Sequence, residues 1–423
     1  MRSRRPRAAA GGLRRLGVAA LAAAAVTLLA AAGGDTWRWP LPAWVPPPVV
    51  PADNPMSTHG VALGRHLFHD PRLSRDGTMS CATCHEQARA FTDGRAVSPG
   101  VTGEAGPRSS MSLANVAYLP VLTWQNPQLR SLEVQALIPL FGEHPVEMGM
   151  AGRETQLFEV LKADPVYRRL FARAFPDAAR QGEAALFSLS TLTKALAAFQ
   201  RSLLSFDSPY DRYRYGGRKD AIGAAARRGE ELFFGERLEC YHCHGGFNFT
   251  DNLKHARAPF PEVGFHNTGL YDEDGRGAYP KDSPGIVEHT GDPADAGRIR
   301  TPSLRNVAVT APYMHDGSIP TLHEVLRSHY AIAGRAARHG RAANPLRSEF
   351  IVGFEITDAE IDDVVAFLES LTDERFLTDP AHGDPWPRRE SAAGAGACGR
   401  DQAGGGVCRT KSTGMPFGST TAK

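Results

Sequence analysis

Hydrophobic positions along the chain fall into two patterns. Leu16 to Ala32 is an unbroken run of small and apolar residues, preceded by Met1 to Arg15 with six arginines and no acid. A basic region followed by an apolar one is the pattern of an export signal. At about 17 residues the run sits at the lower limit for crossing a bilayer, so residues 1–34 read as a signal peptide or an N-terminal anchor. Downstream, apolar residues return at helical spacing. Gln181 to Phe206 carries Leu186, Leu189, Leu192, Leu196, Phe199 and Leu203 on one face, and Ala225 to Phe234 and Leu322 to Tyr330 also read as helices. Thr357-Asp358-Ala359-Glu360 is a capping box ahead of Ile361, Val364, Val365, Leu368 and Leu371. No alternating strand series competes, so the expected class is mainly α.

Breaks in this pattern divide the chain. Residues 35–55, rich in proline, read as an extended linker. Pro209 to Lys219, rich in Tyr, Gly and charge, separates an N-terminal domain at 56–212 from a C-terminal one at 213–378. Ala256 to Asp295 reads as long loops, and 379–423 as a flexible tail that is Gly/Ala/Ser/Thr-rich from Arg388 onward. The 423 residues, 42% hydrophobic and 22% charged, suffice for two cores. A net charge of +2, from 48 basic and 46 acidic residues, provides no field for holding phosphates, which excludes nucleic acid as a partner.

Six cysteines are too few for a disulfide scaffold, so their placement matters. Cys81-Ala82-Thr83-Cys84-His85 and Cys240-Tyr241-His242-Cys243-His244 both read Cys-x-x-Cys-His, the attachment pattern of c-type haem. Two thiols a short turn apart form thioethers to the two vinyl groups of one porphyrin, and the adjacent imidazole meets the iron. The motifs lie 159 positions apart, whereas the halves of a zinc ribbon lie within about 20. Neither motif sits in the βαβ unit that a thioredoxin-type pair needs. Two haems, one per domain, are therefore expected, with Cys81, Cys84, His85, Cys240, Cys243 and His244 holding them. Cys398 and Cys408, in the tail, suit a small disulfide loop in an oxidising compartment.

Around these motifs the chain resembles the bacterial di-haem cytochrome c peroxidase and MauG superfamily over roughly Leu63 to Asp373. The resemblance rests on Leu63-Gly64-Arg65-His66-Leu67-Phe68, Phe91-Thr92-Asp93-Gly94, Pro145-Val146-Glu147-Met148-Gly149, Thr301-Pro302-Ser303-Leu304-Arg305-Asn306-Val307 and Ala311-Pro312-Tyr313-Met314-His315-Asp316-Gly317, in that order. It implies two cytochrome c-like domains, with hydrogen peroxide meeting the N-terminal haem. Trp124 matches the family tryptophan between the haems, although Gln125-Asn126-Pro127 follows it where the family has Asp-Gly-Arg. Gln135 and Glu147 match the polar pair beside the peroxide site, with Glu143 as a competitor for the carboxylate. Conventional members carry a distal histidine about sixteen residues after the first proximal one. Ser98 to Ser112 holds none, which implies an open first iron and points to the MauG-like branch.

For the second haem the resemblance implies an axial ligand beyond His315-Asp316-Gly317, with Tyr330 first and His329 and Met314 as alternatives. It also implies a calcium ion held by Asn115, Thr310 and Pro312. Phe376-Leu377-Thr378-Asp379-Pro380 and Asp384-Pro385-Trp386-Pro387 look like the ending of the MbnH-like subgroup, whose enzymes oxidise a tryptophan of a copper-binding partner. The implied function is peroxide-driven formation of high-valent iron that oxidises a partner protein. The alternative is a conventional peroxidase that makes water with electrons from a small cytochrome or cupredoxin. Either acts in the periplasm or otherwise outside the cytoplasm, soluble or anchored through the N-terminal segment.

Overall fold

Ser57 opens the first helix of the computed structural model, which describes residues 37–335 and 342–386. Its hydroxyl accepts the Gly60 N–H at 2.9 Å, satisfying one of the free amides at the N-terminus of α1 (Thr58–Phe68). Gly60, Leu63, Gly64, Leu67 and Phe68 form the buried stripe. It packs on α2 (Leu189–Arg201), which a reciprocal cap between Ser188 and Thr191 begins. The axes approach so closely that a Cβ on Gly64 would lie 1.9 Å from the Ala195 carbonyl oxygen.

The second half repeats the device. Helix α3 (Ala224–Phe233) crosses α4 (Asp358–Glu369), and a Cβ on Gly229 would lie 1.9 Å from the Asp363 carbonyl oxygen. The Thr357–Glu360 capping box forms as expected. Each half also has a buried asparagine in the left-handed region, Asn115 at φ 57° and Asn306 at φ 61°, leading into a short 3-10 turn. Their side-chain amides meet at Ser205: Asn115 donates to its carbonyl at 3.0 Å and Asn306 to its hydroxyl at 2.9 Å. Tyr210, just ahead of the expected boundary at 212/213, packs with Phe249 and Phe367 in the second core.

Several expected elements differ in detail. The single helical stretch at 181–206 is broken into Glu183–Leu186 and α2, because Gly182 (φ 112°) ends the turn before it and Ser188 is extended. The helix expected at 322–330 ends at Ser328, and Tyr330–Ile332 is a separate 3-10 turn. Two-residue strands β1 (Phe265–His266) and β2 (Ile299–Arg300) pair antiparallel, with Phe265 opposite Arg300. The proline-rich stretch from Trp37 is extended but packed: the Pro46 carbonyl accepts the Tyr118 hydroxyl at 2.8 Å, and Trp44 stacks on Tyr215 at 4.0 Å. Residues 379–384, assigned to the tail by composition, are pinned to α1. There Arg65 Nε donates to the Gly383 carbonyl at 2.7 Å and His69 Nε2 to that of His382 at 3.1 Å. The export segment, Cys398 and Cys408 lie outside the described residues, among which no helix is long and apolar enough to cross a membrane.

Substituting Gly64→Ala or Gly229→Ala should cost about 1–3 kcal/mol each, because the new methyl must push a backbone carbonyl aside. Denaturant unfolding of the two holoprotein variants measures it, and an unchanged midpoint would refute the close crossing.

Candidate haem cavities

Each Cys-x-x-Cys-His motif folds as one turn that turns its two sulfurs the same way. Cys81–Cys84 is a four-residue helix, and its end is closed by the His85 N–H donating to the Cys81 carbonyl at 3.0 Å. The His244 N–H closes on the Cys240 carbonyl at 2.9 Å in the same manner. The four cysteines are free thiols. Desolvation pushes Cys81 and Cys240 up to about 12 and Cys84 up to about 11. Among the described residues one cluster has metal-binding spacing, Cys243 with Asp251 and His266, and no four-ligand zinc site appears.

A carbonyl behind each imidazole decides which nitrogen faces the cavity. His85 Nδ1 lies 2.7 Å from the Phe91 carbonyl oxygen, and His244 Nδ1 lies 3.1 Å from that of Phe249. A carbonyl only accepts, so Nδ1 carries the proton and Nε2 keeps its lone pair for iron. Both phenylalanines are left-handed, at φ 63° and 50°, which turns their carbonyls back toward the histidine. Burial lowers the pKa of both imidazoles and holds them neutral. The residues present therefore fit two covalently attached haems.

The first cavity is lined by Cys81, Cys84 and His85 together with Gln135 and Glu147. Burial raises the Glu147 carboxyl above its ordinary value. Glu143 is exposed and does not line the cavity, which separates the two candidates. His144 and His289 reach the same lining from distant stretches, and no spacing rule around His85 could have found them. The second cavity is lined by Cys240, Cys243 and His244, with Tyr330 and Met314 also on its wall. His329 is absent from that lining, and its Nδ1 accepts the Arg335 N–H at 3.0 Å. Burial pushes the Tyr330 hydroxyl well above the phenol range.

Ser109, Ser110 and Met111 line both cavities. Trp124 faces the second, while its neighbours Thr123 and Gln125 face the first. The indole N–H donates to the Ser109 carbonyl at 2.9 Å, and the Trp124 carbonyl accepts the Arg300 N–H at 2.8 Å. Gln125 is buried and donates to Glu288 at 2.7 Å. Trp124 thus stands in the partition between the cavities. Of the three residues expected to hold calcium, Thr310 and Pro312 line the second cavity. Asn115 lies outside it, with its Oδ1 accepting the Ser205 N–H at 2.8 Å.

Residues 58–220 match the family model described as di-haem cytochrome c peroxidase, and residues 300–333 match one described as RoxA-like, cytochrome c-like. The chain is 36% identical over 395 residues to cytochrome-c peroxidase IdrP1 of Denitromonas iodatirespirans, covering 89% of this chain and 96% of that protein. It is 36% identical over 326 residues to methylamine utilization protein MauG of Methylorubrum extorquens, covering 77% and 81%. The crystal structure of a MauG-like protein associated with microbial copper homeostasis matches with a TM-score of 0.78 at 48% identity, over 83% of this chain and 100% of that one. The di-haem peroxidase BthA from Burkholderia thailandensis shares the fold, with a TM-score of 0.58 at 24% identity over 78% of this chain and 91% of that one. With both Cys-x-x-Cys-His turns opening onto neighbouring cavities, these similarities show that the chain belongs to the di-haem cytochrome c peroxidase and MauG family and is a two-haem c-type oxidoreductase.

Proposed function

We propose that the protein is a MauG-like enzyme that uses hydrogen peroxide to oxidise a partner protein, with a tryptophan of a copper-binding protein as the substrate. The observation that carries this reading over a conventional peroxidase is the 48% identity to the MauG-like protein tied to copper homeostasis. The stretch Ser98 to Ser112, which lacks a histidine, agrees with it. In this reading His85 and His244 would hold the two irons, the four cysteines would attach the porphyrins, and Tyr330 would be the second protein ligand of the second haem. When bound, the haems supply the reduction of peroxide and the storage of two oxidising equivalents.

The surrounding side chains do the rest. Glu147 takes a proton from the entering peroxide and returns it to the oxygen that leaves as water, a role that suits a half-buried carboxyl with a raised pKa. The Gln135 amide orients the peroxide from the same wall. Trp124 supplies an aromatic conduit across the partition, held at both its indole N–H and its carbonyl. Oxidation of the partner then takes place at the surface of the second half.

The same reading assigns haem domains to 56–212 and 213–378 and places the protein in the periplasm behind its N-terminal segment. It also assigns a calcium ion to Asn115, Thr310 and Pro312, and Asn115 Oδ1 retains a second lone pair for it.

Adding one equivalent of peroxide to the fully oxidised protein, without reductant, should change the Soret bands of both haems. A response seen only after one haem has been reduced would establish the conventional peroxidase instead. Glu147→Gln should lower the rate of partner oxidation by about 10²–10⁴-fold. Because the base form of a carboxyl with a raised pKa is lost as pH falls through that value, the wild-type rate should decline toward acid from a point above the usual carboxylate range. The variant should lack that limb; a pH profile identical to wild type would remove Glu147 from the reaction.

A further inference from the structure

Two polar side chains on the wall of the second cavity are buried without an anion to meet them. Arg300, in β2, is 2% exposed. Its Nε donates to the Thr123 carbonyl at 3.1 Å, one Nη to the Thr301 carbonyl at 3.2 Å and the other to Met111 Sδ at 3.4 Å. Two carbonyls and a thioether satisfy N–H groups but do not neutralise a guanidinium, and a buried cation without a counter-ion is strongly disfavoured. Desolvation accordingly pulls Arg300 down to about 10. The one carboxylate that opposes this is Asp251, and His266 Nε2 already holds it at 2.6 Å.

His315 has the matching deficit. It is 4% exposed, and its Nε2 has no hydrogen-bond partner among the described residues. The adjacent Asp316 makes no hydrogen bond to it; its carboxylate accepts from the Tyr271 hydroxyl and the Ser318 N–H instead. The His315 carbonyl accepts the Ser109 N–H at 2.8 Å, which fixes this residue against the same partition that Arg300 holds through the Trp124 carbonyl. Both residues line the cavity that contains Cys240, Cys243 and His244. A c-type haem brings its own anions into such a cavity: two propionate carboxylates, on the porphyrin edge away from the vinyl groups that the cysteines capture.

We propose that Arg300 and His315 are the receptor for the propionates of the second haem. Both are positioning residues. The inference rests on a second haem occupying this cavity and is independent of which partner is oxidised.

Spectroelectrochemical titration of the second haem in the full-length holoprotein tests it without peroxide or partner. Arg300→Gln keeps N–H donors for the carbonyls and removes the charge. An uncompensated propionate favours ferric iron, so the reduction equilibrium should move at least tenfold toward ferric, about 59 mV lower for one electron. Arg300→Lys, which restores the charge, should return the potential most of the way to wild type. His315→Phe should shift it in the same direction by less. An unchanged potential in both Arg300→Gln and His315→Phe overturns the proposal, as does a lysine variant that falls as far as the glutamine one. A change in the iron ligation of the second haem in the ferric electron paramagnetic resonance spectrum of His315→Phe would also overturn it, by making His315 an iron ligand. If Arg300→Gln does not assemble, His315→Phe decides alone, and an unchanged potential counts against the receptor. A haemochrome count of one haem per chain would instead refute the two-haem reading itself.

Discussion

A single backbone carbonyl behind each proximal imidazole sets the chemistry of this molecule. Phe91 and Phe249 present those carbonyls only because both residues adopt the left-handed conformation. That conformation costs an L-residue free energy and persists only where packing over-determines it. Packing does so here: Phe91 is wholly buried between Phe68 and Phe376, and Phe249 lies against Tyr210 and Phe367. The crossed helices therefore do more than stabilise each half. Through one aromatic side chain they fix the tautomer of a histidine and the direction of its free nitrogen.

The partition between the cavities is the second constraint. It is built from a loop, Ser109 to Met111, and from the segment around Trp124, neither of which has a helix or strand of its own to hold it. Side chains and backbone groups from the second half supply the missing restraint: Arg300 at Thr123 and Trp124, His315 at Ser109, and Glu288 at Gln125. A tryptophan placed to carry charge has to keep its distance from both sides, and a loop tied at three points does so where a free loop would not. Gln125 fits this picture as a neutral anchor that both donates, to Glu288, and accepts, from the Gly285 N–H.

Much of this was legible in the chain itself. The doubled Cys-x-x-Cys-His motif, the capping box at Thr357 and the apolar faces of α2 and α4 read correctly because each is a local pattern with a local cause. The repetition between halves was written there too, in helical glycines three residues ahead of a Leu-Phe pair and in paired Asn-Val-Ala turns, but its meaning depends on knowing which helices cross. The break at Gly182 was missed because the apolar spacing continues through it. What could not be read was the non-local part: that His144, His289 and Arg300 would arrive at cavity walls from elsewhere, or that Glu143 would face solvent while Glu147 faced inward. Those placements are set by tertiary packing, and no spacing along the chain encodes them.

The stretch that ends the described chain has a consequence for how the protein is made. Gln87 Nε2 donates to the carbonyls of Phe376 and Asp379, and Phe376 closes over Phe91. Both clefts depend on residues far apart in the chain: the first motif is backed by Phe376, and the second cavity is lined by Thr92 and Ser109 together with Val364 and Leu368 of α4. Neither prosthetic group finds a finished cleft until nearly all of the described chain has folded.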